Sequence, residues 1–208
     1  YFDLVRGQNG LGLFDEDFGY PFKPFSIREI AGEKIAVIGQ AFPRTANANP
    51  PEFFPDWSFG IREDDLATLV QDIKRQYAPA GIFLLSHNGM DVDLKLASRV
   101  SDIDAILGGH THDGIPLPVE VESPNGKTCL VTNAGSNGKF IGVMDLDIKN
   151  NRVNGIRYQM APVFDRLIAP DPTVEKFIKR LNNRVYDHNI IESRSATYSC
   201  NQDRVGKS

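Results

Sequence analysis

Three of the four histidines of this chain lie in two short segments, each of which follows an apolar run. His87 stands in the string Ser86-His-Asn-Gly89, and His110 and His112 stand in Gly108-Gly-His-Thr-His-Asp113. Neutral imidazole is a common ligand of first-row divalent metals. Two such metals held close together can clamp an anion and activate a water molecule between them. The residue types therefore predict a metal-ligand cluster formed by His87, His110 and His112.

Two predicted strands bring these segments to one edge of a sheet. Residues 81–85 and 103–107 are short apolar runs typical of buried strands, and residues 91–100 between them are predicted as a helix. Strand, helix and strand within roughly thirty residues form a βαβ unit, whose two strands are parallel. Sheets of this kind carry their sites at the carboxyl ends of the strands. Both histidine segments are therefore expected to lie at the same edge.

This shared edge decides between two interpretations of each histidine. For a lone histidine at a strand end, a hydrogen-bonded role in a loop is the better interpretation, and the three together favour metal ligation. His110 and His112 are two residues apart, and at the apex of a loop their side chains can face two ions. Gly108 and Gly109 leave room for the sharp turn before them. His188 has no such neighbours, and we predict an ordinary surface role for it.

The remaining pattern predicts a mixed α/β fold with α+β character. Residues 25–38 indicate a β-hairpin, and residues 62–77 have the apolar spacing of a helix. Residues 42–59 contain four prolines and are predicted as a long ordered loop without a helix. After Pro118 the chain is predicted to form antiparallel hairpins from residues 119–121, 128–132, 140–148 and 153–163. A last helix is predicted to start at Pro172, with Asp171 as its cap.

Composition excludes several classes of partner. The chain has 208 residues, of which 41% are apolar, so it can bury a sizeable core. A formal charge of −4 provides no basic field for nucleic acid or for an anionic membrane surface, and we expect neither partner. No apolar run reaches the roughly 18 residues that span a bilayer. The two cysteines make no disulfide framework, and Cys129 is predicted to be a buried strand thiol.

Weaker candidates surround the histidines. Asn88 and Asp113 could each orient an imidazole through a hydrogen bond, although turn formation explains them equally well. Arg6, Arg44 and Arg62 could each bind an anionic substrate, and nothing in the sequence ranks them. The string Asn133-Ala-Gly-Ser-Asn-Gly138 is interpreted first as a glycine-rich turn and second as backbone that approaches a ligand.

At these residues the sequence resembles a known family. Ser86-His-Asn-Gly89 together with Gly108-Gly-His-Thr-His-Asp113 resembles the late metal-binding motifs of the calcineurin-like metallophosphoesterases, in their 5′-nucleotidase branch. Three longer strings are similar to the sulfur-oxidation thiosulfohydrolases of that branch: Val37-Ile-Gly-Gln-Ala-Phe-Pro43, Trp57-Ser-Phe-Gly-Ile-Arg-Glu-Asp-Asp-Leu66 and His87-Asn-Gly-Met-Asp-Val-Asp-Leu94. The histidine motifs alone indicate the superfamily, and the longer strings indicate the narrower group.

The resemblance implies a four-layer αββα sandwich and two divalent metal ions, manganese as first choice and zinc as second. His87 and His110 would bind one ion and His112 the other. It also implies a periplasmic hydrolase that releases sulfate from a cysteine S-thiosulfonate on the SoxYZ carrier protein. Two alternatives stay open: a 5′-nucleotidase or related phosphoesterase with the same metals, and a non-catalytic module in which the histidines hold one structural ion.

The resemblance covers residues 1–190, which we expect to be the C-terminal portion of the catalytic domain. The family's early Asp-x-His motif is absent from this sequence. We therefore expect the chain to be a fragment that is inactive by itself, with the other ligands upstream. Residues 191–208 do not resemble the family and are predicted to form a poorly ordered or divergent tail.

Overall fold

The computed structural model describes the backbone of residues 23–50, 52, 58–164 and 166–186, and the side chains up to residue 183. These residues form two compact units, one that ends at Val163 and one that begins at Phe164. In chain order the elements are β1 (Phe25–Ile30), β2 (Glu33–Gln40), α1 (Thr45–Ala48), α2 (Glu63–Tyr77), β3 (Gly81–Ser86), α3 (Met90–Arg99), β4 (Ala105–Gly108), β5 (Val119–Glu122), β6 (Thr128–Asn133), β7 (Phe140–Ile148), β8 (Val153–Pro162) and α4 (Pro172–Tyr186).

The first unit is built on a six-stranded sheet with the strand order β1-β2-β3-β4-β6-β5. The four central strands β2, β3, β4 and β6 are parallel, and the edge strands β1 and β5 are antiparallel to their neighbours. The predicted βαβ unit is confirmed as β3, α3 and β4. The carboxyl ends of the four parallel strands meet at one edge of the sheet, which we call the C-edge.

Each face of the sheet is covered by a different layer. On one face α2 and α3 pack their apolar residues against the strands, with Val70, Ile73 and Leu96 almost fully buried. On the other face the β7-β8 hairpin contributes apolar side chains such as Leu146 and Ile156 to a second cluster around Phe83. Burying each such side chain contributes about 1.5–3 kcal/mol. The mixed α/β class is confirmed, and helices, sheet and hairpin form three successive layers.

The hairpin predictions are confirmed with one addition. β5 pairs antiparallel with β6, and β7 pairs antiparallel with β8, as expected. However, β6 also pairs in parallel with β4, so that Gly108 lies opposite Asn133. The sequence pattern did not predict this pairing, because a strand's choice of a second neighbour depends on contacts between residues distant in the chain. Its consequence is that β6 also ends at the C-edge.

The proline-rich segment is not free of helix, and that part of the prediction was wrong. Residues Thr45–Ala48 form the short helix α1, and the hydroxyl of Thr45 donates a hydrogen bond to the carbonyl oxygen of Phe42 at 2.6 Å. Pro43 and Pro50 flank this turn without interrupting it, so the backbone donors within it are intact. Residues 51 and 53–57 of the predicted loop lie outside the described residues.

The second unit contains α4, which begins as predicted. Asp171 Oδ1 accepts hydrogen bonds from the backbone N–H groups of Thr173 and Val174, at 2.8 and 3.0 Å. These bonds cap the helix, and they lower the pKa of Asp171. No helix among the described residues has the length and apolar character needed to cross a membrane. The predicted boundary at residue 190 and the tail after it lie outside the described part of the chain.

Asp102 joins three parts of the first unit. Its carboxylate accepts hydrogen bonds from Lys74 and Gln71 on α2 and from Asn125 and Lys127 in the turn between β5 and β6. Burial alone would raise the pKa of this carboxyl group. The bonds from Lys74, Lys127 and Gln71 outweigh burial and hold the pKa at about 2, below its usual 3.8. The folded protein therefore favours the ionised form more than the unfolded chain does.

We expect Asp102→Asn to lower the free energy of unfolding at neutral pH by about 1–2 kcal/mol, discounted for the solvent around both lysine amines. A depressed folded-state pKa stabilises the protein above the unfolded value of 3.8, and that stabilisation is lost as the pH falls through about 2. The difference between wild type and variant should therefore vanish in strong acid. Denaturant unfolding at several pH values measures it.

The matched control is Asp145→Asn, which removes the pair between Asp145 and Arg157. The two side chains of that pair are 60% and 82% exposed, and pairs of this kind contribute little. Equal losses of stability in the two variants, or a loss at Asp102 that persists in strong acid, would contradict the ionic role of Asp102.

Candidate functional site

The two histidine segments meet at the C-edge as predicted. β3 ends at Ser86 and β4 ends at Gly108, and the two strands are parallel neighbours. The ring centroids of His87 and His110 are therefore only 5.1 Å apart, with an angle of 68° between the ring planes. His87, His110 and His112 are all exposed to solvent. The arrangement leaves imidazole nitrogens accessible to a ligand from solution.

The loop after β4 has an unusual backbone. His110 and His112 have φ angles of 54° and 59°, in the left-handed region that residues other than glycine rarely adopt. Each such residue costs about 1–2 kcal/mol relative to the right-handed conformation. Thr111 between them donates its hydroxyl to Asp113 Oδ2 at 2.5 Å. Strain of this kind concentrates at binding and catalytic sites, where the surrounding structure compensates for it.

Gly109 allows the two histidine segments to approach each other. A Cβ atom at this position would lie 3.1 Å from His87 Nδ1 and 3.4 Å from the carbonyl oxygen of Ser86. Any larger residue would therefore push the His87 imidazole away from the loop that carries His110. The absence of a side chain at Gly109 therefore leaves space for the His87 imidazole. The sequence analysis had predicted only that this glycine permits a sharp turn.

Phe42 forms an aromatic contact with both imidazoles. Its ring stacks on His110 with a centroid distance of 4.0 Å and an angle of 26°, and it meets His87 edge-on at 6.3 Å. Phe42 follows β2, which is parallel to β3 and ends at the same edge. The sequence analysis missed this residue, and its position two residues after a parallel strand is the one signal that could have indicated it.

Asn133 anchors the loop that carries His110. It is the last residue of β6 and is 1% exposed. Its Nδ2 donates to the carbonyl oxygen of Gly109 at 3.1 Å, and its Oδ1 accepts the backbone N–H of Gly135 at 3.2 Å. Asn133 thus ties the end of β6 to the histidine loop through its side chain, a role that the turn interpretation did not include.

Asn88 and Asp113, which could each have oriented an imidazole, form their side-chain hydrogen bonds with other groups. Asn88 is buried, and its Nδ2 donates to Gln40 Oε1 at 2.6 Å. Asp113 accepts a hydrogen bond from Thr111, so it restrains the loop and not an imidazole. The backbone carbonyl oxygen of Gln40 also accepts a hydrogen bond from the backbone N–H of His87 at 3.0 Å. Gln40 was not predicted, and it links β2 to both His87 and Asn88.

Neither of the two candidate arginines that the structure describes, Arg44 and Arg62, forms a hydrogen bond with one of the three histidines. Arg62 donates hydrogen bonds to the hydroxyl and the carbonyl oxygen of Ser58, and its guanidinium lies 3.6 Å from the carboxylate of Asp65. Arg44 is exposed at the start of α1. Arg6 lies outside the described residues. The role of each arginine in binding an anion stays a prediction.

The electrostatic environment favours neutral imidazole at His87. Partial desolvation lowers the pKa of His87 although its side chain is exposed, and the neighbouring His110 and His112 lower it further because a second positive charge is unfavourable there. Neutral imidazole is the form that binds metals. Within the described residues, no three His, Cys, Asp or Glu side chains converge in an arrangement that could hold a metal ion. Two imidazoles that could each donate a nitrogen to a divalent metal thus lie side by side at the C-edge, and the three-histidine ligand set stays a prediction.

The chain is similar to several known proteins. No protein-family model matches the chain. The 5′-nucleotidase of Vibrio parahaemolyticus is 28% identical over 170 residues, which cover 68% of this chain and 30% of the relative. The sulfate thiohydrolase SoxB of Thermus thermophilus is 31% identical, with a TM-score of 0.74 over 84% of this chain and 31% of that structure.

A third comparison concerns the fold alone. The calcineurin-like phosphoesterase YfkN of Bacillus subtilis is 18% identical, with a TM-score of 0.64 over 80% of this chain and 59% of that structure. The chain is similar in sequence to 5′-nucleotidases and to a sulfate thiohydrolase, and similar in fold to a calcineurin-like phosphoesterase. Its relatives include 5′-nucleotidases and other hydrolases. The chain spans about a third of the length of the curated relatives it matches, each alignment covering 30% of the relative.

Proposed function

We propose that this chain is part of a dinuclear-metal hydrolase that releases sulfate from a cysteine S-thiosulfonate on the SoxYZ carrier. The observation that carries the proposal is the pairing of His87 and His110 at 5.1 Å on the C-edge. The 31% identity to a sulfate thiohydrolase over 84% of the chain supports this choice of substrate. The three longer strings that resemble thiosulfohydrolases support the same choice.

The proposal assigns a role to each group at the C-edge. His87 and His110 would hold one divalent ion and His112 a second, with manganese preferred over zinc. Bound divalent ions would supply Lewis acidity, which polarises an anionic group and eases the deprotonation of water. Phe42 restrains the His110 ring by stacking on it and excludes water from one ring face. The exposure of the three histidines at the C-edge suits a substrate that is carried on another protein.

A 5′-nucleotidase is the second candidate, and the similarity to the Vibrio enzyme favours it. Metal-assisted attack on a phosphate ester and on a sulfonate sulfur needs the same Lewis acids. The difference between them lies in the contacts to the rest of the substrate. A third candidate is a non-catalytic module in which the histidines hold one structural ion in a closed site.

One experiment separates the three candidates. The purified protein that carries this chain is assayed for sulfate release from thiosulfonate-loaded SoxYZ and for phosphate release from a nucleoside monophosphate, and its bound metal is counted. A higher kcat/KM on the loaded carrier with two metals per chain supports the proposal. Preference for the nucleotide supports the 5′-nucleotidase. Neither activity, with one metal per chain, supports the module and overturns the proposal.

The periplasmic location belongs to the same proposal. The resemblance to the thiosulfohydrolases supports it, because their carrier is expected in that compartment. Osmotic-shock fractionation of the native cells tests it directly. Recovery of the protein with cytoplasmic markers would contradict both the location and the carrier assignment.

A further inference from the structure

The histidine loop, residues 109–113, is held at both ends by the segment at the end of β6. At its far end the backbone N–H of Gly135 donates to the carbonyl oxygen of Asp113 at 2.8 Å. At its near end the side chain of Asn133 donates to the carbonyl oxygen of Gly109 at 3.1 Å. The far contact uses backbone groups alone, whereas the near contact depends on one side chain. A substitution can therefore remove the near contact and leave the far one in place.

The orientation of the Asn133 amide follows from its two backbone partners. A carbonyl oxygen can only accept a hydrogen bond, and a backbone N–H group can only donate one. The carbonyl oxygen of Gly109 therefore faces Nδ2, and the N–H of Gly135, which donates at 3.2 Å, faces Oδ1. The Asn133 residue is 1% exposed, so water has little access to either bond.

The bond from Asn133 ends on a strained turn. The backbone N–H of Thr111 also donates to the carbonyl oxygen of Gly109, at 2.6 Å, so residues 109–111 form a three-residue turn with His110 at its centre. The φ angle of His110 is 54°, and three-residue turns with a positive central φ belong to the rare and strained class. A carbonyl oxygen has two lone pairs and can accept from both donors. The amide of Asn133 thus supports this turn from outside the loop.

The φ angle of His110 decides where its imidazole points. Rotation about the N–Cα bond moves the Cβ atom relative to the preceding peptide, which is the peptide that Asn133 holds. With φ at 54° the ring stacks on Phe42 at a centroid distance of 4.0 Å and lies 5.1 Å from the ring of His87. Relaxation to the right-handed region, which residues other than glycine favour, would carry the imidazole out of this position.

We propose that Asn133 is a positioning residue: its amide holds the strained turn at His110 and thereby keeps the His110 imidazole beside that of His87. Asn133 acts through the Gly109 peptide and is not itself a ligand. Its bond joins β6 to the loop after β4, so two neighbouring strands of the sheet together fix the turn. The position of the ring does not depend on what the site binds, whereas the consequence for metal binding rests on the proposed function.

NMR of the metal-free protein that carries this chain, with isotope-labelled histidine, tests the position of the ring. Asn133→Ala removes both bonds of the amide. Asn133→Asp removes only the donated bond, because a carboxylate can still accept from Gly135. Both variants are expected to shift the His110 imidazole resonances and to change its HN–Hα coupling, which depends on φ. The His112 resonances should move less, because the backbone contact at the far end of the loop remains.

The matched control is Asn151→Asp. Asn151 Nδ2 donates to the carbonyl oxygen of Ala78 at 3.0 Å, which is the same kind of bond at the β7-β8 turn. This variant should leave the His110 resonances unchanged. Unchanged His110 resonances in a folded Asn133→Asp variant overturn the proposal, since the donated bond would then have no effect. Failure of both Asn133 variants to fold while the control folds also overturns it, because the amide would then serve the fold as a whole.

A calorimetric zinc titration of the same proteins tests the consequence for metal binding. Asn133→Ala should weaken zinc binding by about 10-fold or more, the usual effect of removing a group that orients a metal ligand. Asn151→Asp should bind zinc as the wild type does. Equal zinc affinity in the wild type and Asn133→Ala overturns the role of Asn133 in metal binding. A wild type that binds no zinc contradicts the proposed function instead, and the His110 resonances then decide the positioning role by themselves.

Discussion

His110→Ala is expected to lower kcat/KM for the hydrolysed substrate by about 10³-fold or more, since a bound divalent ion contributes several kcal/mol to transition-state stabilisation. The variant removes one of the two imidazoles that meet at 5.1 Å and also the ring on which Phe42 stacks. We expect metal content to fall along with the rate. Steady-state kinetics and metal analysis of the purified protein measure both.

The matched control for this loss is His188→Ala. His188 is the fourth histidine of the chain and stands outside both strand-end segments. Its replacement should leave rate and metal content unchanged. Retention of wild-type kcat/KM by His110→Ala, in a variant with a normal circular dichroism spectrum, would contradict the assignment of the metal site to the C-edge.

Gly108→Ala is expected to lower the free energy of unfolding by about 2–3 kcal/mol, the upper range for overpacking a well-filled interior. The new Cβ atom would lie 2.7 Å from Asp93 Oδ2 and 3.1 Å from the backbone carbonyl oxygen of Thr132. Asp93 is fully buried and the Thr132 carbonyl belongs to the adjacent strand, so neither can move away easily. Denaturant unfolding midpoints measure the effect.

Gly39→Ala provides the comparison within the same sheet. Gly39 lies in β2, and a Cβ atom on it would have no other atom within 4 Å. Its φ angle is not in the left-handed region, so alanine adds no backbone strain. We expect a stability change close to zero. If the two alanine variants unfold at the same midpoint, tight packing at Gly108 is not what stabilises the C-edge.

The βαβ unit illustrates what local sequence pattern can predict. The apolar runs before His87 and before His110 are short and uninterrupted, and the helical spacing between them is regular. Parallel pairing follows from that order, because two strands joined by a helix must run in the same direction. The convergence of His87 and His110 could therefore be predicted from residues less than thirty positions apart.

The other contacts at the C-edge join residues that are distant in the chain. Phe42 meets His110 because β2 happens to lie beside β3, and Asn133 reaches Gly109 because β6 lies beside β4. Neither pairing leaves a periodic signal, since the choice of neighbouring strand depends on the packing of both sheet faces. The same reason explains why Asn133 was interpreted only as part of a turn.

The sequence by itself determined the α/β class and the common edge at which the segments of His87, His110 and His112 follow their strands, and it predicted these three imidazoles as metal ligands. These features depend on residue chemistry and on local periodicity. Only the tertiary structure decided the packing around them: the stacking of Phe42 on His110 and the anchoring of the histidine loop by Asn133. These contacts join strand ends that are distant in the chain, and local periodicity does not determine which strands become neighbours.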